Sequence, residues 1–360
     1  MNNTKLELSA GCQNMLLNCA RLKAGEKVLI VHEDPSLGWY DVEMPDAVCR
    51  VAKELGMLPT LLKVASPDTE SDERRIDQAS AVHDAVIYLA RFGDMDRFGD
   101  GADGKTRVMS YARDAGMLAS SYGTTQYEAF LDLKQAVDEV LLDAHRIQVT
   151  CPLGTEFIGH LKDPRRDNST DVTVRRFPMG VPKPVLAAQF SGRIAIARYL
   201  TPTGSRPYEP ATLAIEKPVF AHVEAGRIVE FQGVPDIVKR IRMHYRLVSE
   251  KYSIDPNAVH SWHAGIHPGC AYDSDADRDP DHWSNTVFQN PRFLHFHTCG
   301  AYPPGEICWM VLDHTVAVDG KNLWENGRLC VNTFAGLRAC LEKWPALVDL
   351  FAIPSDRVGI

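Results

Sequence analysis

The first 145 residues alternate short β-branched runs with amphipathic ones, and that alternation limits the possible folds of this chain more than any other feature. "EKVLIVHE" reads as a strand, and "MPDAVCRVAKELG" carries apolar residues at helical spacing up to a stop at Gly56. "LPTLLKV" and "DAVIYLAR" read as further strands, and "TRVMSYARDAG" continues the pattern. Ahead of them, "SAGCQNMLLNCARL" has helical apolar spacing. Strands that alternate with helices imply a parallel sheet wrapped by helices.

From about residue 146 the character changes. "RIQVTC", "DVTVRRF", "RIAIARYL", "KPVFAHVEAGRIVEF", "ICWMVLDHTVAVDG" and "RLCVNTF" are β-rich runs separated by turns. Helical spacing returns in "VPDIVKRIRMHYRLVSEKY" and in "FAGLRACLEKWPALVDLF", where Pro345 interrupts the helix. At 360 residues the chain is long for one core. The expectation is an α/β domain with a parallel sheet over 1–145, followed by an α+β domain over 146–360 that carries a metal site. The C-terminal helical segment should present apolar surface to the core or to another subunit, and a homo-oligomer is expected.

A formal net charge of −8 argues against nucleic acid or an anionic membrane as the main partner. No apolar run reaches the roughly 18 residues of a membrane span, and "MNNTKLELSAGCQNMLL" lacks the basic start and apolar core of a signal peptide. The nine cysteines are odd in number and scattered, which fits free thiols and a cytoplasmic location. "RFGDGADGKTR" is read as a polar loop rather than a phosphate loop.

The chain's 13 histidines are unevenly spread: His260, His263, His267, His282, His295, His297 and His314 all fall between 260 and 314. Neutral imidazole is the commonest ligand for zinc, iron and related ions, and a carboxylate completes many such sites. Gly265 and Pro268 argue against a helix through His263 and His267, so this is not the helical zinc-protease pattern. "HFH" puts His295 and His297 on one face if it is a strand. Glu306 follows the turn "YPPGE" at the start of "ICWMVLD". His263, His295 and Glu306 make a two-histidine, one-carboxylate set that leaves coordination positions open. His282 and His314 are read as ordinary histidines. "DSDADRDPD" imitates a calcium loop, but Arg278 stands where that loop needs glycine and Ser284 where it needs glutamate, so it is read as a solvated acidic loop.

"GTEF" at 154–157, "HAGIHP" at 263–268, "HFHTCGAYP" at 295–303 and "EICWMVLDHTVAVDGKNLWENGRL" at 306–329 occur in this order. In these pieces the second half resembles the aminopeptidase T superfamily, which includes 2,5-dihydroxypyridine 5,6-dioxygenases. The resemblance places that family's ligand positions on His263 and His295 and its tyrosine on Tyr302. Its late histidine and aspartate fall on Glu306 and Cys308, a departure that speaks against a two-metal peptidase site. One metal held by His263, His295 and Glu306 is the expected site, and Cys308 is expected to be a small core residue.

The leading expectation is an iron(II)-dependent ring-cleaving dioxygenase acting on a hydroxylated N-heterocycle or related small aromatic. His267 or His297 would serve as acid or base beside the metal, with Trp262, Phe296 and Trp309 walling an aromatic pocket. The alternative is a zinc- or manganese-dependent aminopeptidase or small-amide hydrolase, with Glu156 as base.

Overall fold

A computed structural model of the protein describes residues 2–67, 70–96, 103–162, 173–204 and 208–360. Among them, five parallel strands form one sheet in the order Leu58–Val64, Lys27–Glu33, Ala85–Leu89, Thr106–Ser110, Arg175–Phe177. The central run Ala85–Leu89 is buried along its whole length, as a strand covered by helices on both faces must be. The covering helices bury one stripe each. Tyr127–Leu142 turns Phe130, Leu133, Val137 and Leu141 inward, at helical spacing. Glu43–Glu54 ends just before Gly56, whose φ of +80° closes the helix in the left-handed region.

The strand order reverses between Lys27–Glu33 and Ala85–Leu89, the place where open α/β sheets usually bind ligands. Here the crevice is filled by the protein itself. Glu33, at the strand end, accepts from the Arg91 backbone N–H at 2.6 Å and from Arg91 Nε at 3.0 Å, and both residues are buried. The indole of Trp39 covers the Arg91 guanidinium at 4.5 Å.

Residues 99–106 spell G-x-x-x-x-G-K-T in frame, so the letters alone do not dismiss a phosphate loop. Positions 97–102 lie outside the described residues. Thr106, however, opens a strand, where a phosphate loop opens a helix. Lys105 Nζ donates to the carbonyls of Ser80 and Ala81 at 2.6 and 2.9 Å. The polar-loop reading stands on these contacts.

The β-rich half forms an antiparallel sheet of twelve strands among the described residues. Its path runs Arg328–Leu329, Lys321–Glu325, Thr315–Val318, Arg146–Thr150, Glu156–His160, Phe190–Thr201, Glu306–Leu312, Phe293–Cys299, Val259–Ala264, Val185–Leu186. The hairpin Leu213–Glu224 with Arg227–Gln232 branches from Phe190–Thr201. "DVTVRRF" does not join this sheet: its strand Arg175–Phe177 pairs with Thr106–Ser110 and extends the parallel sheet. Pro345 separates two helices, Ala335–Lys343 and Ala346–Ala352. Leu337, Cys340, Leu341 and Leu347 face the chain's own core, and Lys343 and Trp344 both bond Asp132 on the helix Tyr127–Leu142.

All nine cysteines are free thiols. No helix among the described residues is long and apolar enough to cross a membrane.

Candidate metal centre

Three adjacent antiparallel strands build the centre. His263 on Val259–Ala264 lies opposite His295 on Phe293–Cys299, which lies opposite Met310 on Glu306–Leu312. One step along, Ser261, His297 and Cys308 form a second row, continued by Thr201. The period of two sends all of these to one face. The rows between them, Trp262–Phe296–Trp309, point to the other face. Sheet pairing thus joins His263 and His295, 32 positions apart in the chain.

The three rings are in contact. His263 and His295 have ring centroids 3.9 Å apart, His295 and His297 4.7 Å, and His263 and His297 stack at 5.0 Å. All three are buried. Their donor atoms lie within 4.8 Å of one another, and His297, Glu306 and Cys308 form a second such group. Glu306, 1% exposed, accepts a hydrogen bond from His297 Nδ1. A carboxylate on one imidazole nitrogen fixes the tautomer and leaves the other nitrogen as a lone-pair donor. That other nitrogen, Nε2 of His297, is buried and has no hydrogen-bond partner. Such an atom costs roughly 1–3 kcal/mol if nothing reaches it, and a borderline divalent cation is what an imidazole cluster reaches for. The residues present therefore fit a metal ion.

The centre faces a cavity of about 40 Å³. His263, His295, His297, Cys308 and Met310 form one wall. Asp94 and Tyr111, beyond the carboxyl ends of parallel strands, and Arg176, on the edge strand Arg175–Phe177, form the facing wall. Ser284, Asn285 and Phe288, from and just after the helix Pro280–Val287, close the side. Tyr111 donates to Asp94 at 3.2 Å. Phe288 stands perpendicular to His295, with centroids 5.5 Å apart, and packs against Tyr111 at 5.2 Å. Gly204 holds φ +64°, and a Cβ there would lie 2.2 Å from the Asp94 carboxylate. The chain can pass so close to Asp94 only as glycine.

The remaining expected site residues lie elsewhere. Trp262, Phe296 and Trp309 are wholly buried on the opposite face of the sheet, packed with Phe157, Phe190 and Tyr245. They are core, each stabilising by roughly 2–3 kcal/mol, and the cavity's aromatic wall is Tyr111 and Phe288. His267 is swung away where the chain leaves the strand at Gly265. It stacks on Phe130 at 3.7 Å, and burial pushes its pKa down to about 3. Tyr302 is 56% exposed on the turn between two strands, and Glu156 is exposed at a strand end; neither lines the cavity. Cys308 does line it, with its Sγ 3.0 Å from Thr203 Oγ1.

His282 and His314 are outside the cluster. Burial lowers His282 to about 4, with the nearby Arg113 adding to the effect, and lowers His314 to about 3. His260 Nε2 bonds the Cys299 carbonyl at 2.8 Å. The acidic loop is more ordered than a solvated stretch. Asp279 caps the helix Pro280–Val287 through the His282 N–H, Asp273 pairs with Arg357, and Asp281 is buried and accepts from Asn285 Nδ2. Its carboxylates are spent on these contacts rather than arranged as a cation cage.

Asp94, Tyr111, Arg176, Asn285 and Phe288 were not singled out from the sequence. The one signal available was Arg176 itself, a charge inside the short run "VRRF".

No family model matches the chain, and no curated protein is similar to it. Among the solved structures similar in fold are two that share most of their length with this chain. One is 2,5-dihydroxypyridine dioxygenase from Pseudomonas putida KT2440, with 12% identity and a TM-score of 0.58 over 90% of this chain and 97% of that one. The other is AmpT from Thermus thermophilus, with 12% identity and a TM-score of 0.50 over 91% of this chain and 99% of that one. Over nearly its whole length, then, the chain has the fold shared by a dioxygenase and AmpT, the two kinds of protein its sequence motifs resemble.

Proposed function

We propose that the protein is a metal-dependent enzyme, a ring-cleaving dioxygenase acting on a small hydroxylated N-heterocycle or related aromatic. His263, His295 and His297 hold the ion, and Glu306 orients His297 rather than binding the metal. The observation that carries this reading is His297: one nitrogen tied to a buried carboxylate, the other aimed without a partner among two more imidazoles. When bound, an iron(II) ion would act as a Lewis acid and relay electrons from the substrate ring to dioxygen.

The protein's own groups do the rest. Phe288 and Tyr111 present ring surfaces against which a planar substrate packs. Asp94, with Tyr111 donating to it, is placed to hold a proton across the cavity from the histidines.

The second reading is a zinc- or manganese-dependent hydrolase, and the likeness to AmpT favours it. One feature speaks for the dioxygenase. The proposed ligands are three neutral imidazoles, without the bridging carboxylates that a pair of ions would need. The test is metal analysis of protein purified without oxygen, followed by oxygen uptake with 2,5-dihydroxypyridine and amino-acid release from peptides. Iron with oxygen uptake is expected; zinc with peptide or amide turnover would overturn the proposal.

A further inference from the structure

We infer that Cys308 is a fourth ligand of the centre, its sulfur joining the three imidazoles, rather than a small core residue. The inference rests on the metal centre proposed above. Cys308 lies directly opposite His297 on the neighbouring strand, and the period of two turns its neighbours Ile307 and Trp309 into the core. Cys12, Cys19, Cys49, Cys270, Cys299 and Cys340 pack in the main apolar core. Cys308 is also buried, at 7% exposure, yet belongs to no apolar cluster among the described residues. It stands in the cavity wall with His263, His295 and His297, and among the described residues no other cysteine lines that cavity.

His297 belongs to two groups whose donor atoms lie within 4.8 Å of one another, one with His263 and His295, the other with Glu306 and Cys308. Its Nε2 is buried without a hydrogen-bond partner. The imidazole that is ready for an ion is therefore the one the thiol adjoins. Thr203 Oγ1 is 3.0 Å from the sulfur. Once the thiol has given its proton to solvent on binding, the hydroxyl donates to the sulfur, so this contact is kept rather than broken. A thiolate beside imidazoles suits iron, cobalt and zinc, whereas manganese and magnesium favour oxygen donors. Cys308 thus helps to set which ion the centre holds.

The test is cobalt(II) added to the metal-free protein and read by absorption. Visible ligand-field bands should report a filled site, and an intense near-ultraviolet sulfur-to-cobalt charge-transfer band should report a thiolate ligand. C308S should lose the charge-transfer band, keep the visible ones, and hold cobalt at least about tenfold more weakly, since a ligand is worth no less than a partner outside the coordination sphere. C340S, which alters a core thiol, should change neither. Should C308S fail to fold, X-ray absorption of the zinc-loaded unmodified protein carries the test: one sulfur at about 2.3 Å is expected among nitrogen neighbours. Visible bands without the charge-transfer band, a charge-transfer band that survives in C308S, or a zinc spectrum without sulfur overturns the inference and leaves the three-histidine centre standing. Absence of both kinds of band overturns the centre itself, and this inference with it.

Discussion

Glu306→Gln separates two ways of building this centre. In the structure the carboxylate is buried and accepts from His297 Nδ1. If its work is to orient that ring, the amide variant keeps all three imidazoles and loses only the charged partner behind one of them. Outer partners of this kind change metal affinity by about 10–100-fold, which is about 1.4–2.7 kcal/mol. If Glu306 were itself one of three ligands, as the sequence first suggests, the variant would retain two donors and the affinity would fall by several further orders of magnitude. His297→Ala gives the opposite pattern: severe loss if His297 is a ligand, modest loss if it stands beside the metal as acid or base. The assay is competition for zinc or cobalt between the protein and a chromophoric chelator, with urea unfolding of the metal-free variants to confirm that they fold. Loss of metal in Glu306→Gln beyond about a thousandfold, with His297→Ala within a hundredfold of the unmodified protein, would refute the assignment.

Other outcomes follow from the same geometry. His263→Ala and His295→Ala should abolish metal binding, whereas His282→Ala and His314→Ala should retain full metal content by elemental analysis. His267→Ala should keep its metal too, yet lose about 2–4 kcal/mol of stability in urea, because it empties the stack on Phe130. Glu33→Gln should cost about 3–5 kcal/mol by leaving Arg91 buried beside a neutral partner; a loss under about 1 kcal/mol, within reach of a surface change, would count against that account. Burial holds His244 and His282 down to about 4, and His267 and His314 down to about 3, from an ordinary value of 6.5. The unfolded chain therefore takes up protons below about pH 6.5 while the folded one does not. Stability should be full above that pH and fall as the pH drops toward the folded values, and His314→Gln should flatten the slope by roughly 1 kcal/mol per pH unit. Unfolding midpoints equal at about pH 7 and about pH 5 would show the reasoning to be wrong.

Local pattern was enough for the parallel sheet, because strands such as "DAVIYLAR" and helices such as "MPDAVCRVAKELG" announce themselves within a dozen residues. The same holds for the face that His295 and His297 share, since alternation along a strand is a local property. What lies across the sheet is not local. That His263 meets His295 follows from strand pairing, and that Glu306 turns to His297 follows from the register of a third strand. Trp262, Phe296 and Trp309 show the limit well. They neighbour the histidines in sequence, and for that reason alternation carries them to the opposite face.

The sequence by itself determined the periodicities: which segments become helices or strands, and which side chains share a face. The tertiary structure alone decided the centre's surroundings. Asp94 and Tyr111 reach the cavity because the carboxyl ends of the parallel strands are packed against the histidine-bearing sheet. Arg176 is there because three residues near position 176 pair with a strand some seventy residues earlier. Contacts of such separation are fixed by the burial of the whole core, and no window of the sequence contains them.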